Sequence, residues 1–169
     1  AAEHYGRNDQ SGHDIRVEEM VKEACKKADE TIDFSLYDLD NDGFVDNVYL
    51  FYAGESEAEN TEDTDLIWPH LYYIYSGDAK IYLKLDGKQI DMYACSSELT
   101  DGRSLTGIGP FCHEFGHSLG LADLYDTDYS TNYEDFLTPN EWDIMDGGAY
   151  NGGGHCPPNY NVWAKYFFG

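Results

Sequence analysis

His113-Glu114-Phe115-Gly116-His117-Ser118-Leu119-Gly120-Leu121-Ala122-Asp123 is the stretch on which the reading of this chain turns. A helix is expected to begin around Gly109-Pro110, because a proline in the first turn forfeits no hydrogen bond, and to end near Gly120. Within it, residues four apart face the same way with Cβ atoms about 5–6 Å apart, so His113 and His117 reach one ion at a Zn–N distance of about 2.0–2.1 Å. Glu114 then points to the side, where it accepts a proton from a water at the metal without being a ligand. Two histidines leave a zinc site underfilled. Gly120 permits the left-handed turn that stops the helix, after which the chain brings Asp123 back as the third protein ligand. Phe111, Phe115 and Leu119 are expected to form the helix's buried stripe.

The whole H-E-x-x-H-x-x-G-x-x-D segment resembles the metzincin pattern, with Asp in place of the usual third His. Its flanks narrow the resemblance. Gly109-Pro110-Phe111-Cys112 and Asp123-Leu124-Tyr125-Asp126 are similar to the immune inhibitor A family of secreted bacterial metallopeptidases. Trp142-Asp143-Ile144-Met145-Asp146-Gly147-Gly148 resembles that family's Met-turn, Ile67-Trp68-Pro69-His70 its Trp-Pro-His stretch, and Asp38 through Gly54 its acidic loop and following strand. Ala122 stands where the family often has Pro. The resemblance implies a zinc endopeptidase, secreted, acting on proteins or peptides, with Met145 as an apolar floor beneath the metal. It also implies strands upstream of Ala1, so the chain reads as the C-terminal portion of a larger catalytic domain, with further domains in the same precursor. Tyr150 is a candidate hydrogen-bond donor to the oxyanion of a tetrahedral intermediate, one of 15 tyrosines. His70, after Trp68-Pro69, reads as part of a packed corner.

Upstream, Asp38-Leu39-Asp40-Asn41-Asp42-Gly43-Phe44-Val45-Asp46 matches the first half of an EF-hand-type loop, with carboxylates at positions 1, 3, 5 and 9 and Gly at 6. Calcium is the ion it suits, held by Asp38, Asp40, Asp42, the Phe44 carbonyl and Asp46. Position 12 is Tyr49 and not Glu, so the site is abbreviated, and a solvated acidic turn is the competing reading.

Around these motifs, apolar residues spaced three and four apart over 14–31 predict an amphipathic helix backing a sheet. Val48–Ala53 reads as a strand covered on both faces, and residues 55–65 as a polar surface loop. Lys80–Leu85 and Gln89–Cys95 read as strands joined by an Asp86-Gly87 hairpin turn. Residues 126–140 lack periodicity, 147–154 are glycine-rich, and Pro157-Pro158 precedes a last aromatic helix through Phe168. The fold class is α/β: a metzincin-like core with a twisted mixed sheet, a backing helix and an active-site helix, in one domain over residues 1–169.

Ten Lys and Arg against 33 Asp and Glu leave a formal charge of −23 in 169 residues. That charge repels phosphate backbones and anionic lipid, so nucleic-acid and membrane partners are not expected. Cys25, Cys95, Cys112 and Cys156 allow two disulfides or four thiols, and none shows C-x-x-C spacing. The leading reading is hydrolysis of peptide bonds by metal-activated water with Glu114 as general base. Its rivals are a calcium-dependent binding module, disfavoured because the acidic loop is single, and a folded but inactive pseudo-peptidase.

Overall fold

The computed structural model describes residues 2–10, 12–60, 62–74, 82–127 and 137–169. Its contacts divide the chain into two compact units, Ala1–Ser104 and Leu105–Gly169.

In the first unit a short helix α1 (Ala2–Tyr5) precedes α2 (Val17–Ala28), the predicted amphipathic helix. Val17, Met20, Val21 and Cys25 supply its buried face, while Glu18 and Glu19 in the first turn and Lys26 and Lys27 in the last oppose the helix dipole. Ile15, an apolar residue within the predicted span 14–31, falls before the helix and is exposed, so it adds nothing to the buried face. The face of α2 shares one buried cluster with Tyr52, Tyr93 and Cys95 of the sheet.

That sheet has the order β1 (Val48–Tyr52), β5 (Met92–Ser97), β2 (His70–Tyr73), with β5 parallel to β1 and antiparallel to β2. It is mixed, as expected. The reading of Val48–Ala53 as covered on both faces is corrected: β1 is an edge strand, and Phe51 is 64% exposed. The central, most buried strand is β5, which runs through Ser96 and Ser97, two residues past the predicted end at Cys95. The predicted hairpin forms between β3 (Leu83–Leu85) and β4 (Lys88–Ile90). Asp86 and Gly87 both have positive φ, 48° and 81°, as a two-residue type I′ turn requires. The predicted strand Gln89–Cys95 breaks at Asp91, because its first half pairs with β3 and its second half enters the larger sheet. Residues 80 and 81 lie outside the described residues.

The second unit holds α3 (Ile108–Ser118), two 3-10 turns at Asn140–Trp142 and Gly147–Tyr150, and α4 (Val162–Phe168). Its core is Leu121, Ile144, Met145 and Ala164, with Cys112, Leu124 and Tyr160 packed against them. The expected stripe of Phe111, Phe115 and Leu119 is overturned. Phe115 and Leu119 are exposed, and α3 buries Gly109, Pro110, His113, Glu114 and Gly116 instead. The helix thus turns its polar chemistry inward and leaves Phe115 exposed, stacked on the half-buried Phe111. Gly109 has no alternative here: a Cβ would stand 1.9 Å from the Ala149 carbonyl oxygen. All four cysteines are free thiols. Among the described residues no helix is long and apolar enough to cross a membrane.

Candidate active site

The end of α3 is built as a Schellman motif, which is what carries the chain from His117 to Asp123. Gly120 N–H donates to His117 O (2.9 Å), Leu121 N–H donates to Gly116 O (3.1 Å), and Gly120 takes a φ of +91°. The reversal leaves the Leu121 carbonyl facing back, where it accepts a hydrogen bond from His117 Nδ1 at 2.9 Å. The other histidine is held from a different segment, with His113 Nδ1 donating to Ile144 O at 2.7 Å. A carbonyl oxygen only accepts, so each Nδ1 carries a proton and each neutral ring presents its Nε2 lone pair.

Both Nε2 atoms face one point. Asp123 Oδ1 lies 3.1 Å from His113 Nε2 and 3.2 Å from His117 Nε2, and the two rings stand edge to face with centroids 4.9 Å apart. Despite those short approaches Asp123 Oδ1 is a buried oxygen that accepts no well-directed hydrogen bond. The ligand atoms of His113, His117 and Asp123 all fall within 4.8 Å of one another. Two nitrogens and one carboxylate oxygen at this spacing suit zinc, which takes three such protein donors and leaves one position open.

Electrostatics follow from the crowding. Burial pushes the Glu114 carboxyl up to about 7, with His113 and His117 pulling it back. For His117 burial favours the neutral ring, but the Asp123 carboxylate and the Leu121 carbonyl outweigh it and hold the ring up at about 9. His113 is raised in the same balance of burial against Asp123. Asp123, against its own burial, is held well below the usual carboxylate range by the two imidazoles. Without a cation the imidazoles hold protons against the Asp123 carboxylate; with one, their Nε2 lone pairs are free to become ligands.

The segment Asp143–Asp146 ties the site together. Ile144 O accepts from His113 Nδ1, Met145 O accepts Leu124 N–H at 2.8 Å next to Asp123, and Met145 Sδ lies against α3 at Gly116, where a Cβ would stand 2.7 Å from it. Met145 therefore packs under the helix turn that separates the two histidines. Tyr150 ends the 3-10 turn Gly147–Tyr150, a turn that contacts α3. Sequence reasoning passed over Asp143, which is buried. Its Oδ1 accepts Met145 N–H (2.9 Å) and its Oδ2 accepts from Asn161 Nδ2 (2.6 Å), while Asn161 Oδ1 caps α4 through Ala164 N–H (2.8 Å). The one signal available was an Asp two residues before the Met. His70 is hydrogen-bonded as a structural residue would be: Nδ1 donates to Trp68 O at 2.6 Å, Nε2 accepts from Tyr93 OH at 3.0 Å, and burial lowers its pKa, although Trp68 itself is exposed and does not form the packed corner expected.

In the first unit the structure brings together Asp38, Asp40 and Asp42, with carboxylate oxygens within 4.8 Å of one another. Asn41 and Gly43 take positive φ, 62° and 95°, to wrap the loop. Asp38 Oδ2 accepts from Lys88 Nζ and Gly43 N–H, contacts that hold its pKa down. Asp46 is outside this trio of carboxylates and accepts Leu39 N–H at 3.2 Å.

Two imidazoles and a carboxylate about one point, beside a buried second carboxylate, are the side chains that metallopeptidases assemble. The chain belongs to the immune inhibitor A peptidase M6 family, whose catalytic-domain model matches residues 1–169. It is similar to the pre-pro-metalloprotease PrtV of Vibrio cholerae serotype O1, 29% identical over 191 residues. It is likewise similar to immune inhibitor A of Bacillus thuringiensis subsp. alesti, 29% identical over 193 residues. These alignments take in 98% and 97% of this chain, which spans 20% and 27% of the two relatives.

Proposed function

We propose that the chain is the catalytic core of a zinc endopeptidase, with His113, His117 and Asp123 as the metal ligands and Glu114 as the general base. The observation that carries this is the meeting of both Nε2 atoms at Asp123 Oδ1, 3.1 and 3.2 Å away, with all three ligand atoms within 4.8 Å of one another. Zinc held there supplies Lewis acidity toward a peptide carbonyl and a water. Glu114, 4% exposed and next to the first ligand, accepts the water's proton and returns it to the leaving amine. Its pKa, raised to about 7 by burial, suits a group that must gain and lose a proton in one cycle. Met145 floors the site, Gly120 sets the path of Asp123, and Tyr150 is the candidate donor to the oxyanion.

Around this core the reading is metzincin-like, with both units as parts of one catalytic domain within a longer secreted precursor. The family match over both units and the greater length of the relatives support it. The substrates are proteins or peptides. The loop of Asp38, Asp40 and Asp42, with Phe44 and Asp46 completing the set, takes calcium as a structural ion.

The test is turnover of an unfolded protein by the purified chain, abolished by a chelator and restored by stoichiometric zinc. A chain that binds one zinc through these residues yet cleaves nothing is a pseudo-peptidase; one that binds no zinc overturns the reading altogether.

A further inference from the structure

We infer that Asp143, held in place by Asn161, is the positioning residue that sets the directions of His113 and Asp123 through the main chain. The inference rests on the proposed metal-ligand reading. Asp143 is a carboxylate 3% exposed, and its side-chain hydrogen bonds go to Met145 and Asn161 and not to either histidine. One of its oxygens fixes Met145 N–H, which shares a peptide unit with the Ile144 carbonyl that accepts from His113 Nδ1. The carbonyl of Met145 in turn fixes Leu124 N–H, immediately after Asp123. A single peptide segment thus orients a ligand on the helix and a ligand on the segment after it, and the Asp143 carboxylate holds that segment from behind. Its second oxygen is occupied by Asn161 Nδ2, so the carboxylate cannot turn away without losing one partner. Ligand orientation enforced in this way typically accounts for about 10–100-fold in metal affinity.

The geometry makes a specific demand on hydrogen-bond polarity. Asp143 faces two donors, Met145 N–H and Asn161 Nδ2, and an amide has only one acceptor oxygen. In Asp143→Asn, whichever way the amide is turned, its NH2 confronts a donor, unless Asn161 flips and gives up its cap on Ala164 N–H. The exchange Asp143→Asn with Asn161→Asp removes the conflict at unchanged net charge. The amide placed at position 143 then accepts Met145 N–H and donates to the carboxylate placed at position 161, whose other oxygen caps Ala164 N–H.

The experiment measures Zn2+ affinity by chelator competition, and the visible absorption of the Co2+-substituted chain, for wild type, Asp143→Asn, the exchanged pair and Asn161→Ser. Serine still caps α4 but cannot reach Asp143 with a donor, so this variant tests the link even if Asp143→Asn fails to fold. We expect Asp143→Asn and Asn161→Ser to weaken Zn2+ binding by about 10-fold or more and to alter the Co2+ bands. The exchanged pair should return to within about 3-fold of wild type with its bands restored. Wild-type affinity and spectrum in Asn161→Ser, or an exchanged pair no better than Asp143→Asn, overturns the positioning role alone. A wild-type chain that takes up neither ion overturns the metal reading, and this inference with it.

Discussion

Glu114 occupies a position that is costly for a carboxylate, 4% exposed on the inward face of α3, and burial pushes its pKa up to about 7. Burial there favours the neutral carboxyl, and His113 and His117 beside it pull toward the carboxylate. Glu114→Gln keeps the shape and the ligands, so zinc content should stay at one per chain while kcat/KM falls by at least about 100-fold. Near-normal turnover in that variant would remove Glu114 from the mechanism. The residues proposed as ligands titrate in a way that fixes a sign. A histidine whose pKa rises on folding from 6.5 to about 9, as His117 does, stabilises the metal-free fold below pH 6.5 and loses that contribution as pH climbs through about 9. Asp123, lowered from 3.8, contributes above that value and loses its share in more acidic solution. On the proposed ligand set zinc displaces the proton on His117, so affinity should rise with pH up to about 9, with proton release on binding. Competition titrations across that window check this, and an affinity that stays flat would contradict the assignment of His117.

At the scale of elements, the end of α3 joins structure to chemistry. The Schellman hydrogen bonds at Gly120 both stop the helix and present the Leu121 carbonyl to His117 Nδ1, so a change in this turn reaches the donor set without touching it. Gly120→Ala places an L side chain at φ +91°, with its Cβ 3.3 Å from the Phe167 ring. A loss of about 1–2 kcal/mol in stability is expected, read from the urea midpoint, together with weaker zinc binding. If zinc affinity is unchanged while stability falls, the turn is a helix stop only and does not aim Asp123.

For the molecule as a whole, the formal charge of −23 repels itself, and the first unit concentrates three carboxylates about one loop. Any cation that binds the folded chain alone stabilises it by mass action. Millimolar calcium should therefore raise the melting temperature above that in sodium chloride of matched ionic strength, which supplies the screening without the ligation. The double change Asp40→Ala and Asp42→Ala should abolish the calcium-specific part and leave the response to sodium chloride. Lys88, already paired with Asp38, limits the gain, because the ion must compete with a charge in place. Equal responses to the two salts in the wild-type chain would show that the loop is a solvated acidic turn.

What the sequence determined by itself was local: α2 from its three- and four-residue spacing, the β3–β4 hairpin from Asp86-Gly87, the span of α3 from Pro110 and Gly120, and the approach of His113, His117 and Asp123. Each depends on backbone preferences and side-chain reach within about a dozen residues. What it misjudged depended on distant partners. Phe115 and Leu119 have the look of a buried stripe, but burial is set by which face of α3 meets Ile144, Met145 and Tyr160, segments far along the chain. The Val48–Tyr52 run is apolar enough for a central strand, yet pairing made it an edge and gave the centre to the more polar β5. Asp143 was invisible for the same reason. A lone Asp says nothing until tertiary structure brings Asn161 to one of its oxygens and shows that the other fixes the peptide that holds His113.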